Sequence, residues 1–339
     1  MKLRTFVSVG VAAVAMMVVL LNAVPAAAQE YSWTPPRTAD GRPNLQGVWA
    51  NNNVTPLERP EVLGGRTTLT DEEVAALQAR AGELFSTESG DAAFGDSVFA
   101  SALAEAESFS SRDTQTGNYN HFWMVEREWD NRTSLIVDPP TGRLPARTDV
   151  SRARLAERAE ARQRHAWGPE DRSLGERCIS WGAPRLGAGY NSYIQVFQTP
   201  THVVLYQEMG GPRVIPVTDA AHVDAKVRQW HGDSRARWDG DTLVIETTNY
   251  SSKVSFMGAA DGLSVVERFS RASEQTLQYE VTVSDPTTWA APWTAQIPLR
   301  STSDPVFEYA CHEGNVGMEG IMAGARALEK AEADAGGQN

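Results

Sequence analysis

Thr276-Leu277-Gln278-Tyr279-Glu280-Val281-Thr282-Val283-Ser284 is the stretch that decides the fold class. Leu277, Tyr279, Val281 and Val283 fall on one side of an extended chain, and Gln278, Glu280, Thr282 and Ser284 on the other. That period of two marks a strand with one buried face. Other β-rich runs cover 190–198, 202–209, 213–217, 241–249, 263–271, 293–300 and 305–311. Turn chemistry separates several of them: Thr199-Pro200, Gly210-Gly211-Pro212 and the hairpin signal Trp238-Asp239-Gly240-Asp241. No helical pattern intervenes, so the strands read as an antiparallel meander, and about eight strands suffice to close a barrel. The sequence therefore predicts a mainly β protein with a lipocalin-like barrel over 186–330, a β-sandwich being the second arrangement. The apolar face either lines a ligand cavity or packs beneath the preceding residues; alternation leaves both open.

Upstream, residues 29–185 predict an irregular arm with helices that wraps the core. Tyr31 to Gly65 is rich in Pro, Asn and Gly, with Pro43-Asn44-Leu45-Gln46-Gly47-Val48-Trp49 offering apolar anchors. Thr70-Asp71-Glu72-Glu73 is a capping box that opens a helix carrying Val74, Leu77 and Leu84. Residues 88–120 read as loop with a helix near 98–107. The run 133–143 reads as a short strand entering a Pro-Gly turn, and 150–165 as an exposed helix. Residues 331–339 read as a flexible tail.

The first 28 residues have the layout of a cleaved secretory leader: Lys2 and Arg4, an apolar run from Phe6 to Leu21, then Ala26-Ala27-Ala28. The apolar run is shorter than the roughly 20 residues of a spanning helix. The expected setting is periplasmic or secreted, with no stable membrane insertion. The chain of 339 residues carries 31 basic and 43 acidic groups, a formal charge of −12. Loss of Lys2 and Arg4 with the leader makes the remainder more acidic by two charges. Such a domain is a poor partner for nucleic acid, which rewards clustered Lys and Arg. The two cysteines, Cys178 and Cys311, both lie in the exported part, which predicts one disulfide, the alternative being two separate buried thiols.

Arg132-Thr133-Ser134-Leu135-Ile136-Val137-Asp138-Pro139-Pro140, Ser173-Leu174-Gly175-Glu176-Arg177-Cys178 and Gly232-Asp233-Ser234-Arg235 form a distinctive set. With them go Trp238-Asp239-Gly240-Asp241-Thr242-Leu243-Val244, Pro292-Trp293-Thr294-Ala295 and Tyr309-Ala310-Cys311-His312-Glu313-Gly314-Asn315. Together these runs resemble a large family of exported bacterial proteins, over nearly all of the chain after the leader. The resemblance implies a periplasmic or secreted setting and assigns no catalytic residue.

The chemistry-bearing residues point first to the cysteine pair. A Cys178–Cys311 bond would bring Cα atoms within about 5 to 6 Å and so draw Glu176, Arg177, His312 and Glu313 into one neighbourhood. A base, an acid and a cation would then meet, as proton transfer requires: His312 as base, Glu313 or Glu176 as its orienting or acidic partner, Arg177 opposite developing negative charge. The same four residues also suit a structural ion-pair network around the disulfide. Arg132 and Arg143, with Tyr190, Asn191 and His231, are substrate-binding candidates near a barrel mouth. Trp289 and Trp293, flanking Pro292, could line a ligand site, because a flat apolar face stacks on rings.

H-E-x-x-H, C-x-x-C, G-x-S-x-G and P-loop motifs are absent from the sequence, and the six histidines never stand at the close spacing of a local metal pair. No metal and no cofactor is expected. The resulting expectation is an exported protein that binds a small, partly apolar organic molecule and acts on it by acid–base chemistry as a lyase, isomerase or hydrolase. Its rivals are a non-catalytic periplasmic lipid or phenolic carrier and a structural envelope protein.

Overall fold

A computed structural model describes residues 33–86, 93–110, 127–182, 184–189, 192–254, 256–259 and 261–336. The leader lies outside these residues, as do Tyr190 and Asn191 and parts of the 88–120 loop. Residues Pro35–Asn339 fall in one compact unit. In chain order the strands are β1 (Gly47–Ala50), β2 (Ile136–Asp138), β3 (Tyr193–Gln198), β4 (His202–Gln207) and β5 (Gly211–Pro216), then β6 (Asp233–Asp239), β7 (Thr242–Thr248), β8 (Ser264–Arg271), β9 (Thr276–Ser284) and β10 (Trp293–Thr302). The helices are α1 (Asp71–Leu84), α2 (Asp96–Leu103), α3 (Asp149–Gln163) and α4 (Val316–Gly336).

All the ladders of this sheet are antiparallel, along the path β5-β4-β3-β1-β10-β9-β8-β7-β6, with β2 pairing β10 off the path. The mainly β, antiparallel character expected from the sequence is therefore present. The closed barrel is not: no ladder joins the edge strands β5 and β6. The path alternates direction over an odd number of strands, so its two edges run parallel. They meet at one parallel bridge, Val217↔Ala236. Among the described residues there is no second sheet to make the alternative sandwich.

The apolar face is a packed core. Leu277, Tyr279, Val281 and Val283 are each at most 2 % exposed, and they join Trp49, Ile194, Val196, Leu205, Ile215, Leu243, Ile245, Phe269, Ile297 and Leu299 in one cluster. Burial of each such aliphatic side chain stabilises the fold by roughly 1.5–3 kcal/mol.

The arm contributes to the sheet as well as wrapping it, because β1 lies between β3 and β10. α1 starts at the expected capping box: Glu73 N donates to Thr70 Oγ1, and Thr70 N donates back to the Glu73 carboxylate. α1 and α2 bury Leu77, Ala81, Val98, Phe99 and Ala102 in a second apolar cluster. Two departures fall at the C-terminal end. Residues 305–311 form no strand, and α4 extends through most of the segment read as barrel end and tail. No helix among the described residues is long and apolar enough to cross a membrane.

Candidate functional site

The disulfide is formed, with Cys178 and Cys311 Cα atoms 5.5 Å apart across 133 residues of sequence. It brings the backbones of the expected site together but not its functional groups. Asn315 Nδ2 donates to Glu176 O at 3.0 Å and lies 3.2 Å from Cys178 Sγ. The Glu176 carboxylate turns to Arg172 and accepts from Ser173 N and Oγ at 2.9 and 2.8 Å, closing its own turn. Burial pushes this carboxyl up, but those hydrogen bonds outweigh it and leave it below its ordinary value. Arg177 reaches Glu170 at 3.3 Å. His312 and Glu313 are exposed, and neither side chain makes a hydrogen bond among the described residues.

Arg132, Arg143, Trp289 and Trp293 are held structurally. Arg132 clamps Asp130 and donates to Gln296 O, while Arg143 donates to Arg59 O and pairs with Glu61. Trp289 and Trp293 are 1 % and 0 % exposed and meet edge to face at 5.7 Å. They belong to the core, so neither offers a ring face to a ligand. His231 is half-buried at the start of β6, near Arg213. Burial first, then the Arg213 charge, holds its imidazole below the ordinary value. Its neighbour Gly232 (φ +68°) lies so close to Thr248 O and the Tyr250 ring that a Cβ would collide.

Inside the curled sheet, strand alternation places Arg213 of β5 and Glu267 of β8 on the apolar face. Their fork-to-fork bonds measure 3.0 and 2.7 Å, and Tyr279 Oη donates to Glu267 Oε1 at 2.9 Å. Burial alone would depress the guanidinium, but Glu267 overrides it and raises it. Nearby on the outer side, His222 Nδ1 lies 2.8 Å from Asp233 Oδ2, and Arg235 pairs with Asp233 Oδ1 at 2.7 Å. Arg213 and Glu267 satisfy each other's charge, which is the signature of a structural pair.

A different arrangement occurs where residues 185–189 and Ser192 meet Asn51 just after β1. Asn51 anchors it: Nδ2 donates to Leu186 O and Gly187 O, and the Asn51 backbone exchanges bonds with Ser192 and Gly189. The two carbonyl acceptors fix the amide's orientation, leaving Oδ1 buried with no partner. Below lies a cavity of about 10 Å³, lined by Asn51, Arg185, Ser192, Tyr193 and Gln207 over Ile194 and Leu299.

Glu208 follows Gln207 at the end of β4 and is 8 % exposed, and its Oε2 has no partner. Burial raises its carboxyl above the ordinary value against the backbone hydrogen bonds and the Arg185 charge that oppose it. Arg185 donates only to Met209 O and Sδ among the described residues, and burial lowers its guanidinium. Tyr309, held by the disulfide-linked segment and edge-on to Trp181 at 5.8 Å, adds its influence on Arg185. A buried carboxyl with a raised value that feels the charge of a half-buried guanidinium, itself lining a small polar cavity, is the arrangement that acid–base sites share.

Sequence reading passed over Glu208 because it fell at the end of the β-rich run 202–209, next to the Gly210-Gly211-Pro212 turn, where a carboxylate is ordinarily solvated. Only its position directly after the alternating β4 hints at burial. Comparison of the chain with family models, with curated proteins and with solved structures finds no match. The class defined by fold and site is a mainly β, disulfide-linked protein with a buried carboxyl–guanidinium centre at one end of its sheet.

Proposed function

We propose that the protein is an exported acid–base enzyme, of the lyase, isomerase or hydrolase type and independent of a redox cofactor, acting on a small, partly apolar organic molecule. Glu208 transfers the proton and Arg185 stabilises the negative charge that develops. The observation that carries this reading is the state of Glu208: buried, unpartnered at Oε2 and held by burial above the ordinary value of a carboxyl. It replaces His312 as the favoured base, since an exposed imidazole without an orienting partner lacks the preorganisation proton transfer needs. A carrier that holds a lipid or phenolic compound inside the sheet is less favoured, because that interior is filled by core side chains.

The test is turnover of a mixed small-molecule library by the mature protein, read by mass spectrometry. Glu208→Gln should reduce turnover by about 10²–10⁴-fold, the span that general acid–base groups supply. If Glu208 is the base, wild-type activity should rise with pH through a midpoint above the ordinary carboxylate range. Full activity in Glu208→Gln, or a loss in His312→Ala alone, would return the chemistry to the disulfide corner.

A further inference from the structure

Gly187 borders two spaces. One is the polar cavity beside Arg185; the other is a groove of about 250 Å³ lined by Leu57, Phe94, Leu135 and Leu186, with Asn53 and Thr55 at its polar side. The polar cavity is about one water molecule in volume, since a single probe sphere occupies roughly 10–15 Å³. A carboxylate or phosphate head is too large for it, whereas a single oxygen fits.

The groups around that space ask for a particular oxygen. Asn51 Oδ1 is an acceptor without a donor and belongs to a residue only 4 % exposed. Arg185 offers N–H groups whose present acceptors are a carbonyl at 3.3 Å and a thioether at 3.7 Å, both weak. A hydroxyl both donates and accepts through one heavy atom; a carbonyl oxygen could satisfy Arg185 but not Asn51.

We infer that the ligand is a small apolar alcohol or phenol, its hydroxyl in the cavity between Asn51 and Arg185 and its hydrocarbon body in the groove beyond Gly187. This inference rests on the acid–base reading of the same site and names its substrate class. Arg185, which also feels the charge of Glu208, faces the oxygen that would carry the negative charge.

The experiment is isothermal titration calorimetry of the mature protein with three ligands of one shape: a 4-alkylphenol, the corresponding alkylbenzene and the corresponding 4-alkylbenzoate. The phenol should bind at least about tenfold more tightly than either of the others, a difference of about 1.4 kcal/mol. Gly187→Leu should weaken phenol binding by a similar factor. A Cβ at Gly187 meets no atom within 4 Å, and the variant's melting temperature is read beside its affinity to show that it is folded. Equal binding of the alkylbenzene, preference for the benzoate, or unchanged affinity in a folded Gly187→Leu protein would overturn the inference. Glu208→Gln separates the two claims. If the phenol binds but is never turned over, the ligand class stands and the enzymatic reading falls; if a compound without a hydroxyl is turned over in a Glu208-dependent way, the reverse holds.

Discussion

Two arginine–glutamate regions of this sheet show how the same residue types come to do different work. Arg213 and Glu267 are 5 % and 2 % exposed and meet through two direct bonds, with Tyr279 completing the carboxylate. Arg185 and Glu208 lie close enough to influence each other, yet form no ion pair, and Glu208 Oε2 is left without a partner. In the first region the mutual attraction offsets desolvation, and both charges are fixed. In the second it does not, so the carboxyl is pushed toward its neutral form and stays available to exchange a proton. Pairing, more than burial, separates scaffold from chemistry here.

The comparison breaks most visibly at Glu267. Glu267→Ala leaves Arg213 buried without its counter-charge and should cost about 3–5 kcal/mol in urea unfolding. Adding Arg213→Met to the same chain should recover much of that loss. A cost below about 1 kcal/mol for the single variant would mean that water reaches the pair.

Glu208 should respond in the opposite direction. Its carboxyl is raised in the folded protein relative to the ordinary 4.5, so it contributes most to stability at low pH, and that contribution is lost as pH rises through the folded value. Glu208→Gln, which cannot ionise, should therefore raise the melting temperature at neutral pH, with the gain shrinking as pH falls toward 4.5. A destabilised Glu208→Gln protein at neutral pH would show Glu208 to be a paired structural charge after all.

The smallest effect belongs to Glu176, whose carboxylate is 39 % exposed beside Arg172. Glu176→Ala should cost no more than about 1 kcal/mol, the range of solvent-screened pairs. A larger loss would place the disulfide corner among the structural pairs.

What the sequence could reveal follows from the range of the forces involved. The alternation of Leu277, Tyr279, Val281 and Val283 and the capping box at Thr70 and Glu73 are local, and both appear as read. β6 escaped notice because its inward residues, Ser234, Ala236 and Trp238, are not an apolar series. Four-residue β1 is too short to show a period. The 305–311 run has strand-like composition but pairs with no strand of the sheet, and Phe307 stays 69 % exposed. α4 was hidden by Gly317, Gly320 and Gly324, which lower helix propensity. The disulfide could be argued from compartment and count. It fixed the right neighbourhood but not the side-chain directions within it: Glu176 and Arg177 turn to partners in their own segment. Glu208 accepts backbone hydrogen bonds from Tyr193 and Phe307, both outside its own turn, and no local pattern carries its burial.

The position of β1 bears on how the chain assembles in time. Its four residues are among the first of the described chain to be synthesised, yet they pair with Tyr193–Val196 on one side and Arg300–Thr302 on the other. Until residue 302 exists, β3–β5 has no connection through the ladder to β6–β10. The final event of folding is then the seating of an early peptide between two late ones, a closure across some 250 residues of sequence that favours a slow, cooperative last step over growth from one end.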